Sequence, residues 1–498
     1  MFVELLFNFG SVTVFLVTFA ISLALWRSVS RPPGIPPGPP LLPLIGNLYL
    51  RFWKEGKFLY PILRKKYGDI FSVYYGRVLF VVLTTGDLVR EAYIDNAEDM
   101  SDKPMLPSRT HNGSPIGIVA ASGTIWKQQR KFAMATLRSF GFGKRNIEDR
   151  IMGEIRFLLE DFKLKNGQPF DPKTILRSSV SNVITSIVFG KRFEYDDRKM
   201  AEVFKLLDSV GSSIYFVLLV VFPFLRHLPV DLFGTQRIQQ NLENRRDFLK
   251  IMYREHLETY EEGVVRDFVD AYIHKMKQEA EAGNKDCFTE LQCLGIMRDL
   301  YEAGSETTAT AILWLLIHII REPEIQDRIR AEIDDVVGSA QLPSLHDRRK
   351  MPFTQATIME VLRLENVVPF AVPHQLKSDV MFKGHYIPKS ASIYPNLDSV
   401  LKDPGIWTDP EDFRPSRFID KDGNLIKKEE FIPFSLGRRV CLGESMALST
   451  LFLFVTSLVQ KFVLSPPVGE EMPGLDCMYG EFIHRPLPYK LRAVPRNQ

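Results

Sequence analysis

The stretch FSLGRRVCLGESMALSTLFLFVTSLVQKF, Phe434 to Phe462, decides how the rest of the chain is read. Its first half is a loop punctuated by Gly437 and Gly443, and its second half is an apolar run that must be a buried helix. Cys441 therefore stands at a helix N-terminus, where unsatisfied amide donors and the helix dipole favour an anion and lower a thiol pKa. The two glycines let backbone approach a flat ligand closely. Arg439 is placed to pair with a carboxylate and Phe434 to shield the sulfur from water. A lasting thiolate of this kind suits a ferric iron.

Upstream, LQCLGIMRDLYEAGSETTATAILWLLIHII (Leu291 to Ile320) predicts one helix of thirty residues, roughly 45 Å long, ending before Pro323. At its centre Ala303, Gly304, Ser305, Glu306, Thr307 and Thr308 interrupt the apolar character. Small residues there leave room for a ligand, and a Thr hydroxyl bonded to a carbonyl of the previous turn loosens the helix. In FTQATIMEVLRLEN (Phe353 to Asn366), Glu360 and Arg363 share a helix face. Their neighbours Ile358, Val361 and Leu362 are apolar, so the pair is partly buried and the guanidinium needs a bidentate partner. WKQQR (Trp126 to Arg130) likewise puts an indole and a guanidinium on one helical face.

Taken together, these segments resemble the cytochrome P-450 superfamily across essentially the whole chain. F-x-x-G-x-R-x-C-x-G matches the haem-binding loop of that family at every fixed position, and AGSETT resembles its oxygen-binding groove. Glu360 and Arg363 match its E-x-x-R motif, with Arg417 of FRPSRF as third member although Ser416 replaces the usual glutamate. WKQQR matches its W-x-x-x-R helix. The resemblance implies a mainly α fold with small β-sheets, haem b (iron protoporphyrin IX) as cofactor, and Cys441 as the axial iron ligand. It further implies that Trp126, Arg130, His374 and Arg439 reach the haem propionates, that Phe434 lies beside the sulfur, and that Glu360, Arg363 and Arg417 are structural. Glu306 and Thr307 become the catalytic pair, Thr307 bonding to dioxygen and Glu306 relaying protons through water.

The activity so implied is insertion of one atom of dioxygen into a lipophilic organic substrate. Trp126 to Ile151 is most similar to the animal microsomal group that oxidises drugs, fatty acids and steroids. No nicotinamide or flavin fingerprint occurs, so electrons from NADPH must come through a separate cytochrome reductase, with a small membrane cytochrome as a further candidate donor. Lys127, Lys131, Arg438 and Arg439 are candidates for the reductase face. Two rivals remain: a haem-thiolate isomerase, against which intact Glu306 and Thr307 speak, and a non-catalytic membrane-tethered haem protein that binds or senses a ligand.

Bulk properties set the outer bounds. In 498 residues, 45% hydrophobic and 25% charged composition supports a compact body. A net charge of +3 without basic blocks gives no support for nucleic-acid binding. Four cysteines without a CxxC pair exclude a disulfide framework or zinc motif and fit a reducing compartment. The uncharged run Phe9 to Trp26, followed by Arg27 and Arg31, predicts a single transmembrane anchor with the body on the cytosolic side of the endoplasmic reticulum membrane. The domain reading is 1–30 anchor and flank, 31–47 proline-rich hinge, and 48–498 catalytic haem domain. Ile70 to Thr84 reads as strand. The apolar stretch Ser212 to Leu225 is either a buried helix or a dip into the bilayer surface.

Overall fold

The computed structural model describes residues 29–496 apart from 53–58, 106–108, 112, 142–144, 198–201, 205–217, 219–220, 228–230, 232–233, 285 and 479–481, together with seven residues between 13 and 22. Apolar residues recurring at helical spacing build α1 (Leu59–Tyr67), α2 (Gly123–Ser139), α3 (Arg145–Leu164), α4 (Lys173–Val188), α5 (Thr235–Glu258) and α6 (Phe268–Glu281). They are followed by α7 (Glu290–Arg321), α8 (Pro323–Val336), α9 (Pro352–Leu364) and α10 (Glu444–Lys461).

The body is built around α7. Thr289 caps it, its hydroxyl oxygen accepting from the Gln292 amide at 3.2 Å. Pro323 cannot continue the i→i−4 ladder and instead opens α8. With 32 residues, α7 is about 48 Å long, and Trp314, Leu315 and Leu316 at 0% exposure lie in the core shared with α3, α4, α8, α9 and α10. It is apolar enough to cross a membrane by composition, but 83% of that window is buried inside the protein, which makes it a core helix.

The sheets are small, as expected. The stretch Ile70 to Thr84, read as strand, is a hairpin of β1 (Ile70–Tyr75) and β2 (Val78–Leu83), turned at Gly76 with φ 60°. With β3 (His374–Gln375), β4 (Val380–Phe382), β5 (His385–Ile387) and β6 (Ser392–Pro395), the main sheet runs β1-β2-β6-β3, β2 and β6 being parallel. β4 pairs with β5, and β7 (Phe462–Ser465) with β8 (Arg492–Pro495).

The proline-rich segment is folded onto this sheet. The Ser72 amide and hydroxyl donate to the carbonyls of Pro37 and Pro36, each at 2.7 Å. A Cβ on Gly38 would stand 2.0 Å from the Ser72 carbonyl oxygen. Asn47, fully buried, donates to Pro40 at 2.8 Å and accepts from the Tyr74 amide at 2.9 Å. Prolines lack donors, and here their carbonyls are what the neighbouring strand uses. Of the expected anchor, Thr13, Val14, residues 16–19 and Ser22 are helical, and Val14, Leu16, Val17 and Phe19 are each more than half exposed. The rest of the anchor, and most of Ser212 to Leu225, lie outside the described residues.

Candidate active site

Cys441 stands three residues before α10, and its amide donates to the Phe434 carbonyl at 3.1 Å, closing the loop. Phe434 is half-buried. Gly437 has φ 77°, and a Cβ there would meet the Tyr93 carbonyl oxygen at 2.1 Å. Its missing side chain therefore serves the packing of protein on protein, where the sequence suggested approach to a ligand. Gly443 has φ −93° and nothing closer than the Cys441 sulfur at 4.0 Å. The thiol is accessible to solvent yet crowded by protein atoms, and burial raises its pKa. The Gly443 and Glu444 amides and Arg130 pull it down, while the Glu444 carboxylate pushes it up. Within the protein alone, burial thus opposes the lowering expected from the helix end, and a cation bound at the sulfur would favour the thiolate.

Next to this loop the structure gathers basic groups with no ion pair among the described residues. Arg130 donates to the Val440 carbonyl at 2.6 Å. Arg439 donates to the carbonyls of Ser101, Ile118 and Ala121 at 3.0, 3.2 and 2.8 Å, with its guanidinium 3.9 Å from the Trp126 ring centre. Lys103 donates to Val372 and Pro373 at 2.9 and 3.3 Å. His374 holds the Met100 carbonyl through Nδ1 at 2.7 Å and stacks on Tyr93. Burial pushes Arg439 down to about 9, with Arg130 adding and Asp102 opposing. It lowers Arg130 as well, against Cys441. Lys103 lies well below the ordinary lysine range through burial and then Arg439 and Arg130. His374 is likewise held well down by burial and then by Lys103.

None of these four bases has an ion pair among the described residues, and Trp126 Nε1 is buried with no hydrogen-bond partner there. Such a donor set fits a ligand carrying two carboxylates beside a metal that takes a thiolate. Trp126, Arg130, His374 and Arg439 were expected in this place. Lys103 was not, because a lysine between Asp102 and Pro104 belongs to no motif.

A sequence model described as Cytochrome P450 matches residues 36–493. The chain belongs to this family. It is 38% identical over 490 residues to "Cytochrome P450 2J2" of Homo sapiens, covering 97% of this chain and 96% of that protein. It is 38% identical to "Cytochrome P450 2U1" of Homo sapiens, covering 91% and 88%, and 36% identical to "Cytochrome P450 2H1" of Gallus gallus, covering 95% and 96%. The cofactor of the family is haem, iron protoporphyrin IX held through a thiolate, and this chain is a cytochrome P450 monooxygenase. When bound, the haem supplies the reductive splitting of dioxygen that places one oxygen atom in the substrate.

On α7, the Thr307 hydroxyl donates to the Ala303 carbonyl at 2.7 Å, the bond to the previous turn that the sequence led one to expect. Ala303 and Thr307 lie four residues apart on one face, Ala303 exposed and Thr307 partly so, whereas Ser305, Glu306 and Thr308 are buried. Gly304 points elsewhere: a Cβ on it would come within 2.6 Å of Ile184 Cδ1, so its small size lets α4 pack on α7. Glu306 is 7% exposed, its two oxygens bound by Arg177 of α4 and by Arg485 at 3.1 Å. Neither arginine was singled out in the sequence.

The expected scaffold pair is fully enclosed. Arg363 Nε and a terminal nitrogen bind the two Glu360 oxygens at 2.7 and 2.8 Å, both side chains at 0% exposure. Arg417 Nε joins at 3.1 Å despite Ser416. Among the described residues one other metal-capable group gathers, His256, Asp267 and Asp270. Its atoms are committed: His256 bridges Met252 and Asp267 at 2.7 and 2.8 Å, and Asp270 is held by Arg266.

Proposed function

We propose that this monooxygenase is tethered to the endoplasmic reticulum membrane, receives electrons from NADPH through a membrane reductase, and oxidises a lipophilic organic substrate. The observation that carries the reading is the set of basic groups beside Cys441 that have no ion pair among the described residues, together with the indole N–H that has no partner there. Cys441 would be the axial ligand, with Trp126, Arg130, Arg439 and Lys103 on the propionates and His374 joining them when its Nε2 is protonated. Exposed Lys127 and Lys131 flank Arg130 on α2, which touches the Cys441 loop, and Arg438 is exposed on that loop. This basic rim supports docking of an acidic reductase there. Exposed Leu42, Leu44 and Phe224 support a membrane-facing edge, since Gly76 lies against Leu44 and Val221.

On the distal side, the Thr307 hydroxyl is the accessible proton-holding group. Glu306 joins it through water when Arg177 or Arg485 releases an oxygen. Thr307→Ala and Glu306→Gln should each keep haem and divert reducing equivalents toward peroxide; unchanged coupling in both removes the pair from proton delivery. The direct test of the whole reading expresses the full chain with a reductase and NADPH, and compares it with Cys441→Ser and with a chain lacking residues 1–30. The parent should show the thiolate-type carbon monoxide spectrum and form product, Cys441→Ser should lose the spectrum while still pelleting with membranes, and the shortened chain should pellet less. A spectrum retained in Cys441→Ser identifies a different ligand.

A further inference from the structure

A second excess of positive charge lies where α5, α7 and the short helix Gly117–Ala120 meet. Asp299 accepts from Arg109 and, at 2.9 Å, from Arg298, while its other oxygen takes the amides of Ile118 and Val119 at 2.8 Å each. Glu302 accepts from Arg109 at 3.2 Å and from Arg245 at 2.8 Å. Arg246, next on α5, has no hydrogen bond or ion pair among the described residues, and it acts with Lys250 to lower the pKa of His111, after burial. Lys250 is itself paired with Asp247. Among the described residues four guanidinium groups thus gather at this junction with two carboxylates, Asp299 and Glu302.

Arg245 is 9% exposed and its Nε has no partner among the described residues. Burial lowers its pKa, Glu302 opposing and Arg109 and Arg298 adding. A buried guanidinium donor left unused is costly, and an acceptor placed there recovers that cost. Arg245, Arg246 and Arg298 line a cavity of about 30 Å³ with walls that include Leu242, Leu249 and Leu294. The space takes one small polar group, and its apolar walls suit a group carried on hydrocarbon better than a hydrated free ion. Arg298 precedes Thr307 by nine residues, about two and a half turns, so it faces the opposite side of α7.

We propose that this junction binds the carboxylate head of an amphiphile, at a site separate from the Cys441 pocket. Arg245 and Arg246 donate to the carboxylate in the cavity and the leucines at its wall flank the first carbons of the stem, the rest of which lies outside it. Binding would tie α5 and the Gly117–Ala120 segment more firmly to α7.

The test is calorimetric titration of the haem-loaded full chain in nonionic detergent, with imidazole saturating the iron, using dodecanoate, dodecanol and inorganic phosphate. Dodecanoate should bind about ten-fold or more tightly than either other probe, and Arg245→Gln and Arg246→Gln should each lose that preference. Arg246 has no hydrogen bond or ion pair among the described residues to break, so its variant reports even where Arg245→Gln does not fold. Equal affinity for acid and alcohol, or a preference that survives Arg246→Gln, overturns the site. Phosphate binding as tightly as dodecanoate overturns the amphiphile and leaves only a small-anion site. A preparation without haem would count against the monooxygenase reading instead, which this titration does not assess.

Discussion

Two buried charged clusters in this protein are built on opposite plans. Around Glu360 the charged groups are hydrogen-bonded within the chain: two arginines share one carboxylate, and Arg363 also donates to the carbonyls of Leu401 and Pro410 at 2.9 and 2.8 Å. Around Trp126, Arg130, Arg439, Lys103 and His374 carry basic groups with no carboxylate bound to them among the described residues. Burial lowers the proton affinity of all four. A closed cluster is scaffold, because it gains nothing from a further ligand. An open one is a socket, because each unanswered donor lowers the free energy of the anion that fills it.

Breaking the closed cluster should have the largest effect. Arg363→Ala would leave the Glu360 carboxylate enclosed with only Arg417 and the Arg414 amide as donors, and would strip donors from buried carbonyls. Removing one partner of such a pair costs on the order of 3–5 kcal/mol, a large part of the margin of most domains. The variant should accumulate poorly or melt far below the parent in thermal unfolding followed by circular dichroism, with or without haem. A melting point close to the parent would mean that the closed cluster is not scaffold.

Opening the socket by one donor should act differently. Trp126→Phe keeps an aromatic ring beside Arg439 and removes, besides some ring volume, an N–H that lacks a partner among the described residues. The haem-free protein should melt near the parent, less the small cost of the lost ring volume. Haem should leave about ten-fold or more faster, the worth of a hydrogen bond to a charged group, as read by transfer to a haem-scavenging protein. An unchanged haem dissociation rate would show that the indole does not face the cofactor.

The two clusters also differ in how far they were legible. Glu360 and Arg363 are three residues apart, so helical periodicity alone places them together, and the same local logic located α7 to within a residue at each end. Cys441 and Arg439 sat in one motif. What eluded the sequence was long-range: Arg177 and Arg485 reach Glu306 from 129 and 179 positions away, and Lys103 meets Val372 from 269. Gly437 and Gly304 were marked as leaving room for a ligand, but the atoms that require them small, the Tyr93 carbonyl and Ile184, come from distant segments of the protein itself. The thiol shift had the same origin, since the helix end is local and visible whereas crowding is tertiary and is not.

The smallest effect, and the finest test of the contrast, is the titration of His374. Its Nδ1 points at the Met100 carbonyl at 2.7 Å and so carries the proton of the neutral ring, while Tyr93 stacks on its face at 3.8 Å. Burial, followed by Lys103 and also Arg439, holds its pKa well below 6.5, with the Met100 carbonyl opposing. A base whose folded pKa is depressed is protonated in the unfolded chain first, so as pH falls through 6.5 the unfolded state gains protons and the haem-free protein loses stability. Above that value both states are neutral and this contribution is flat. Haem carboxylates would answer Lys103 and Arg439 and reduce the shift, making the decline shallower in the loaded protein. His374→Phe retains a ring for Tyr93 and cannot titrate, so its haem-free form should also decline less between pH 7 and 5. Melting temperatures across that range check both comparisons; slopes that match in loaded, haem-free and substituted protein would place His374 in the closed class of cluster rather than the open one.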